Sequence, residues 1–450
     1  MRAIWILPRV TVVDAPPGNC SEAMCCSARV FIPRGSSLSY AGSPLLAFGA
    51  AGVDGGMSTE ECRGVPVTAQ PNILFISLDT VRADVAFSGK YPGVERLRAS
   101  GVSFTQAISS CPLTPVSHAT VFTGLQPPRH GVRHLFREAL DKRVPTLAEC
   151  LSAAGYTTGA VVSCPGLNQW YGMDRGFDFY DDEIPLLPDG RDPLSVGDVK
   201  LRGLALKRAP LVVERATRWL QSLDGAGPFF LFAHFFDAHW PYEPPEDVGV
   251  EVANPYEGEI AYTDHYLQLL LRRIAELGHD IASTLVVCFS DHGEDLAGWY
   301  PNDHAGDLGH PYEEGHGCLL FDATQHVPLV ISGPGVPVGM SVDSQVRLVD
   351  IMPTVLDHLG LDPRPSDGAS LTEFFAGGTG ASREAYSETY FPQERAAASD
   401  DYPDLKALHA VRADGRKVIW EADGRQVWAY DLAADPHERG GRVLVSDEDA

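Results

Sequence analysis

Short apolar runs alternate with longer amphipathic stretches between residues 71 and 359, and this alternation is the strongest constraint on the fold. The apolar runs predict buried strands at 71–79, 156–163, 228–236, 283–290 and 327–331. The amphipathic stretches predict helices at 143–154, 211–223, 260–277 and 349–359. Strands and helices in alternation favour parallel pairing, with helices on both faces of one sheet. The sequence therefore predicts an α/β fold built on a mostly parallel sheet.

The two ends of the chain lack the alternation of apolar and amphipathic stretches seen in this central part. Strand-like pieces at the carboxyl end are separated by Asp-Gly turns at 414–415 and 423–424, which predicts a small antiparallel α+β subdomain over 385–450. Residues 1–69 lack periodicity and are rich in Gly, Pro, Ser and Cys, so we interpret them as a disordered extension or as sequence upstream of the true start. The catalytic domain is expected over 70–384.

The charge balance limits the partners that the chain can have. Sixty acidic and 35 basic residues give a formal net charge of −25, which repels nucleic acid and anionic membranes. No apolar stretch is long enough to span a membrane, and the apolar run in 1–15 is too broken for a signal peptide. Nine cysteines show no disulfide framework. We expect a soluble chain without nucleic-acid partners, with the cytoplasm favoured over secretion.

Acidic and imidazole side chains lie at the ends of three predicted strands, of which the strand at 228–236 ends near His234, Asp237 and His239. Asp79 ends the strand at 71–79, and Asp291 and His292 follow the strand at 283–290. Function in open α/β sheets usually lies at the carboxyl edge of the strands. Carboxylate oxygens with one imidazole suit a divalent cation, which could be Ca, Mg, Mn or Zn. A bound cation would also reverse the local field and admit an anionic substrate.

Thr114 stands at the mouth of a loop that runs into a helix over 113–124. The amino end of a helix can hold an anion. A threonine hydroxyl is a weak nucleophile unless a metal or a base activates it, and a helix cap is the alternative role for such a residue.

The loop at 113–124 resembles the signature of the sulfatase family in the alkaline phosphatase superfamily. In that signature a Cys or Ser, later oxidised to formylglycine, precedes x-Pro-Ser-Arg and a helix that ends in Thr-Gly. Thr114 falls at the nucleophile position and His118 at the Arg position, while Ser117 matches directly and Pro115 is displaced by one place. Further matches occur in the same order at 77–84, 129–131, 234–242, 290–294, 315–317 and 346–354. A plain threonine nucleophile is therefore expected, and formylglycine is not.

The resemblance implies roles for individual residues. The metal ligands would be Asp79, Thr114, Asp291 and His292. The catalytic residues would be Thr114, His118, His239 and His316. The residues that contact the substrate would be His130, His239 and His316. A second metal site, as in two-metal phosphodiesterases of the superfamily, would use His234, Asp237 and His310.

The expected function is metal-dependent cleavage of small sulfate or phosphate esters through a covalent Thr114 intermediate. Two alternatives remain open from the sequence. One is a phosphodiesterase or a phospho-group transferase of the same superfamily, and the other is an inactive, metal-binding family member.

Overall fold

The structure is a computed structural model that describes residues 70–443 except 188, 193–206, 226, 247, 297, 305–314, 376–379 and 399–405. The predicted extension over 1–69 lies outside the described residues. The strands in this part are β1 Asn72–Leu78, β2 Gly101–Ile108, β3 Thr157–Val161, β4 Phe179–Asp181, β5 Phe229–Phe235, β6 Thr284–Phe289, β7 His326–Ser332, β8 Met340–Val342, β9 Val346–Arg347, β10 Ala385–Thr389, β11 Leu408–Ala413, β12 Arg416–Glu421, β13 Val427–Asp431 and β14 Arg442–Val443. The helices are α1 Ala83–Ala86, α2 Pro92–Ser100, α3 Thr114–Thr123, α4 Pro127–His130, α5 Leu147–Ala153, α6 Ala209–Gln221, α7 Pro255–Glu276, α8 Asp322–Gln325, α9 Ile351–His358, α10 Thr372–Phe375 and α11 Phe391–Ala398.

The central sheet has the strand order β4-β3-β5-β1-β6-β7-β2-β8, and β9 also pairs with β2. Strand β7 is antiparallel to its neighbours β6 and β2, and the other described pairs of this sheet are parallel. The predicted mostly parallel α/β sheet is therefore confirmed. Because its central strands are buried on both faces, they appear in the sequence as continuous apolar runs.

Helices cover both faces of the central sheet. Side chains of β1 alternate between the faces, so that Phe75 joins one apolar cluster and Leu74 joins the other. The first cluster includes residues of α3, α5 and α9, and the second includes residues of α2, α6 and α7. This two-sided cover holds the carboxyl ends of β5, β1 and β6 side by side at one edge.

A second sheet is formed by β10 to β14, which pair antiparallel in sequence order. Asp414 and Gly415 both have positive φ, +50° and +71°, as the tight hairpin between β11 and β12 requires. The sheet packs on residues 318–321 of the larger unit through an apolar cluster that includes Ile419 and Trp428. The predicted small antiparallel subdomain is confirmed.

Strand β2 was not predicted. Its sequence is interrupted by the half-buried polar residues Thr105 and Gln106, and its pairing with β7 shifts register between Phe104 and Ala107. An irregular strand of this kind loses the continuous apolar pattern that marks β1, β5 and β6. Within the described ranges, no helix combines the length and the hydropathy that crossing a membrane requires.

Candidate active site

The carboxyl ends of three neighbouring strands bring four polar side chains together. Strand β1 lies between β5 and β6, with Ser77 in register with His234 on one side and with Phe289 on the other. Asp79 follows β1, and Asp291 and His292 follow β6. The four side chains with a carboxylate or an imidazole at this edge are buried, namely Asp79, His234, Asp291 and His292. Their convergence follows from parallel pairing, which places the ends of adjacent strands at the same edge.

Asp79, Asp291 and His292 form a set of ligand atoms suited to a cation. One ligand atom from each lies within 4.8 Å of the others. The Nε2 atom of His292 is 3.4 Å from Asp291 Oδ2 and 3.9 Å from Asp79 Oδ1. Those two carboxylate oxygens are buried and have no hydrogen-bond partner among the described residues. Because a buried, unpaired carboxylate oxygen is costly, the three residues fit a divalent metal ion.

Neighbouring backbone groups orient these ligands. Asp291 Oδ1 accepts hydrogen bonds from the backbone N–H groups of Thr80 and His292, at 3.3 and 3.0 Å, which leaves Oδ2 for the cluster. His292 Nδ1 donates to the carbonyl of Gly293 at 3.0 Å, so its Nε2 lone pair faces the cluster. Burial raises the pKa of Asp79 and of Asp291, and for Asp291 the adjacent Asp79 carboxylate adds to the effect. A cation bound between these two carboxylates would lower the free-energy cost of burying their negative charges.

Thr114 is the first residue of α3, and its hydroxyl faces the same cluster. Its Oγ1 atom donates to Asp79 Oδ2 at 3.2 Å and lies 3.4 Å from His292 Nε2. Leu113 occupies the cap position of the helix, and no side chain caps it. The cap role for the Thr114 hydroxyl is therefore not what the structure shows.

His239 and His316 lie at the rim of this cluster. The His316 ring centroid is 4.3 Å from that of His292 and 4.9 Å from that of His239. His239 stacks on Phe236 at 4.2 Å and donates from Nδ1 to the carbonyl of Trp240 at 2.7 Å. Burial and the nearby His316 lower the pKa of His239 to about 3. The structure thus brings together Thr114, the three metal-ligand candidates and two half-buried imidazoles.

His118 and His130 have structural contacts instead of an exposed face. His118 Nδ1 donates to the carbonyl of Thr114 at 2.8 Å, and its Nε2 accepts from Ser77 Oγ at 2.9 Å. His130 lies 3.1 Å from Thr120 Oγ1 through Nε2, and its Nδ1 accepts from the Val132 N–H at 3.2 Å. Both rings are fully buried with both nitrogens occupied. These contacts favour support of α3 over the expected catalytic and substrate-binding roles.

The predicted second metal site is not formed by the residues that the structure describes. His234 Nε2 bonds to Asp79 Oδ2 at 3.0 Å, which places this residue beside the first cluster. Asp237 instead pairs with Arg208 at 2.9 Å and accepts from the Ala209 N–H at 3.1 Å. His310 lies outside the described residues. Asp237 follows the end of β5 and is directed toward α6, whereas His234 faces Asp79, so these two residues do not meet at one point and the second site stays a prediction.

Two residues near the cluster were not singled out from the sequence. Cys164 contributes a sulfur that lies within 4.8 Å of the ligand atoms of Asp79 and His234. Glu294 is fully buried and lies 3.0 Å from His316 Nδ1 through its Oε1 atom. Glu294 belongs to the matched segment 290–294, which is the one sequence signal that could have identified it. Cys164 follows β3 within an unpatterned loop.

Comparison with solved structures defines the class of fold. A phosphonate monoester hydrolase of Agrobacterium radiobacter superposes with a TM-score of 0.64 at 23% identity, covering 83% of this chain and 91% of that one. A 2-O GAG sulfatase superposes with a TM-score of 0.59 at 22% identity, covering 83% and 87%. The fold is therefore the mixed α/β fold of sulfatases and phosphonate hydrolases.

Sequence comparison then gives the family. The family model described as "Sulfatase" matches residues 71–361, and the chain belongs to the sulfatase family of the alkaline phosphatase superfamily. Arylsulfatase K of Rattus norvegicus is 21% identical, with 84% of this chain and 76% of the relative covered. An ulvan-active sulfatase of Formosa agariphila is 25% identical, with coverage of 82% and 76%.

Proposed function

We propose that this sulfatase-family hydrolase is metal-dependent and cleaves its ester through a covalent intermediate on Thr114. One observation carries the proposal: the Thr114 hydroxyl lies 3.2 Å from Asp79 Oδ2 and 3.4 Å from His292 Nε2, beside two buried carboxylate oxygens that have no described hydrogen-bond partner. A nucleophile and a cation site would therefore lie side by side at the carboxyl edge of the central sheet. The family membership supports the reaction class.

Four atoms would hold the metal: Asp79 Oδ1, Asp291 Oδ2, His292 Nε2 and Thr114 Oγ1. When bound, a divalent cation at these atoms lowers the pKa of the threonine hydroxyl and withdraws charge from the nonbridging oxygens of the ester. Three oxygen ligands with one imidazole fit Mg, Ca, Mn and Zn.

The residues of the chain then carry two successive displacements. Thr114 Oγ1 attacks the sulfur or phosphorus in line, its proton passes to Asp79 Oδ2, and the bond to the leaving oxygen breaks. His316 or His239, which the negative charge of the bound ester would protonate despite the low pKa of the ring in the free protein, gives its proton to that oxygen. Water then attacks the Thr114 ester and gives a proton to the same imidazole, and the proton held by Asp79 returns to Thr114 Oγ1 as sulfate or phosphate leaves.

His118 and His234 support this arrangement without contacting the substrate. His118 anchors the carbonyl of Thr114, and His234 donates from Nε2 to the oxygen of Asp79 that also accepts from Thr114. The Ser163 N–H donates to His234 Nδ1 at 3.3 Å, which assigns the ring proton to Nε2. The Asp79 carboxylate is thereby held with Oδ2 toward the nucleophile.

A phosphate or phosphonate ester is the second candidate substrate, and the side chain at position 114 favours it. A formylglycine hydrate can expel its sulfate by breaking a bond at its own carbon. A threonine ester lacks the second hydroxyl for that route and needs a second attack at sulfur or phosphorus. A sulfate preference would therefore require that water reach the sulfur of the intermediate as readily as it reaches phosphorus.

The test measures turnover of aryl sulfate, aryl phosphate, bis-aryl phosphate and aryl phosphonate by purified protein with added Mn, Zn, Mg or Ca. Thr114→Ala should lose nearly all turnover, and Thr114→Ser should keep part of it. Tryptic peptides from a quenched reaction should carry the transferred group on Thr114. Full activity in Thr114→Ala would overturn the proposal.

Thr123→Ala is a matched control. Thr123 is the last residue of α3, buried, and donates from Oγ1 to the carbonyl of Ala119 at 2.6 Å. Its loss removes a threonine hydroxyl from the same helix at the end away from the cluster. Turnover should stay close to that of the unaltered protein.

A further inference from the structure

A buried carboxyl group stands directly behind one of the rim imidazoles. Glu294 Oε1 lies 3.0 Å from His316 Nδ1, and the Glu294 side chain is fully buried, whereas 16% of the His316 side chain is exposed. The contact therefore joins the buried Glu294 carboxyl group to the His316 ring, which lies at the rim of the metal-ligand cluster.

The backbone fixes the distance between these two side chains. Asp295 and Gly315 form an antiparallel bridge, with N–H to carbonyl distances of 2.7 and 2.8 Å in the two directions. Gly315 has φ +110°, and a Cβ built there would lie 3.2 Å from Glu294 Oε1. Gly317 has φ +108°, and a Cβ there would lie 2.6 Å from the Phe391 ring. The Gly-His-Gly segment is therefore shaped to carry His316 against Glu294.

The other faces of the His316 ring are occupied by the site. Its centroid lies 4.3 Å from His292 and 4.9 Å from His239. With Nδ1 engaged by Glu294, Nε2 lies on the side of the ring away from that carboxyl group. Rotation of the ring about χ2 would exchange the two positions and break the hydrogen bond.

We propose that Glu294 is a positioning residue that holds His316 with Nε2 toward the leaving oxygen of the ester. This inference rests on the proposed function, because it assigns His316 the proton transfer to that oxygen. Glu294 itself does not contact substrate. A hydrogen bond in either direction between its carboxyl group and Nδ1 fixes the ring.

The first experiment compares Glu294→Gln with Glu294→Met. Glutamine keeps a hydrogen-bonding group at the same reach, so most of the turnover should remain. Methionine has a similar length but no comparable partner for Nδ1, so kcat should fall by about 10- to 100-fold with KM little changed. The fall should be larger for substrates with poor leaving groups, because these depend most on proton transfer.

A double-mutant cycle separates positioning from general damage. Glu294→Met should cost nothing further in a His316→Gln background, because there is no longer a ring to position. An equal loss in both backgrounds would overturn the inference. So would a Glu294→Met effect that is independent of the leaving group.

Two further measurements distinguish a failure of the Glu294 inference from a failure of the proposed Thr114 mechanism. The metal-induced rise in Tm should be retained in Glu294→Met, which shows that the metal ligands are intact. Glu138→Gln is the matched control, since Glu138 Oε1 also contacts a histidine Nδ1, that of His134, at 2.5 Å in a half-buried pair away from the cluster. If Thr114→Ala is inactive but Glu294→Met costs the same with and without His316, only the role of Glu294 is overturned and the proposed function stands.

Discussion

Thr114 Oγ1 donates a hydrogen bond to Asp79 Oδ2 across 3.2 Å, while Asp79 Oδ1 has no hydrogen-bond partner among the described residues. One carboxylate therefore faces the Thr114 hydroxyl with one oxygen and the candidate cation position with the other. In the proposed function, metal binding and the reactivity of Thr114 therefore both depend on the Asp79 side chain.

Metal binding should stabilise the folded protein, and Asp291→Asn should remove that effect. A ligand at 100 times its Kd adds about 2.7 kcal/mol to the free energy of unfolding. The measurement is Tm with and without Mn or Zn after treatment with a chelator. Asp237→Asn is the matched control, because Asp237 is a buried carboxylate that pairs with Arg208 instead of the cluster. Loss of the Tm rise in Asp237→Asn would restore the second metal site.

Cys164→Ser should leave the metal-induced rise in Tm and the turnover close to their original values. The sulfur lies near Asp79 and His234, but the Ser163 N–H occupies His234 Nδ1, so Nε2 carries a proton and cannot also bind a cation. Isothermal titration with Zn and with Mn gives the two affinities. A large loss for Zn alone would mean that a thiolate ligand takes part.

His130→Gln should make the protein less sensitive to acid. Burial lowers the pKa of His130 to about 3, whereas an unfolded histidine titrates near 6.5. The depressed pKa means that the unfolded state binds the proton first as pH falls, so stability is lost between pH 6.5 and 3. For one such histidine the loss from pH 7 to pH 5 is about 2 kcal/mol.

The measurement is the free energy of unfolding in urea at pH 7 and pH 5 for the original protein and for His130→Gln. The difference between the two pH values should shrink by about that amount in the variant. His265→Gln, which removes an exposed imidazole from α7, should leave the difference unchanged. Equal pH dependence in all three proteins would contradict the assigned burial effect.

Arg133→Met should destabilise the packing of β10 against the loop that follows α4. Arg133 forms two hydrogen bonds of 2.7 Å to the Glu388 carboxylate, and its guanidinium lies 4.5 Å from the centre of the Tyr390 ring. Breaking a buried pair by removing one partner costs about 3–5 kcal/mol, because the other charge is left unpaired. Since Arg133 is only partly buried, the lower end of that range is expected.

The double variant Arg133→Met with Glu388→Leu should be more stable than Arg133→Met alone, because no unpaired charge remains. Chemical unfolding of the single and double variants measures this. A double variant that is less stable than Arg133→Met would contradict this prediction, because removal of the unpaired Glu388 charge would then have lowered the free energy of unfolding.

The amino-acid sequence determined which segments form the central strands and where the main candidate metal ligands lie. Strands β1, β5 and β6 are buried on both faces, so each appears as a mostly apolar run, and the polar residues at its carboxyl end mark the edge of the sheet. Asp79, Asp291 and His292 could therefore be placed together before any coordinates. Thr114 was located by its match to the family signature and by its position at the start of a helix.

Only the tertiary structure decided how the remaining histidines are used. The histidines at 118, 130, 234, 239 and 316 are alike in the sequence. In the structure His118 is buried within α3, His130 is buried at the end of α4, His234 contacts Asp79, and the other two line the rim. The role of each depends on which donor or acceptor faces its two ring nitrogens, and those partners come from distant segments. Local apolar patterns in the sequence predict parallel strands, whereas the hydrogen-bond partner of a buried ring is set by packing across the whole domain.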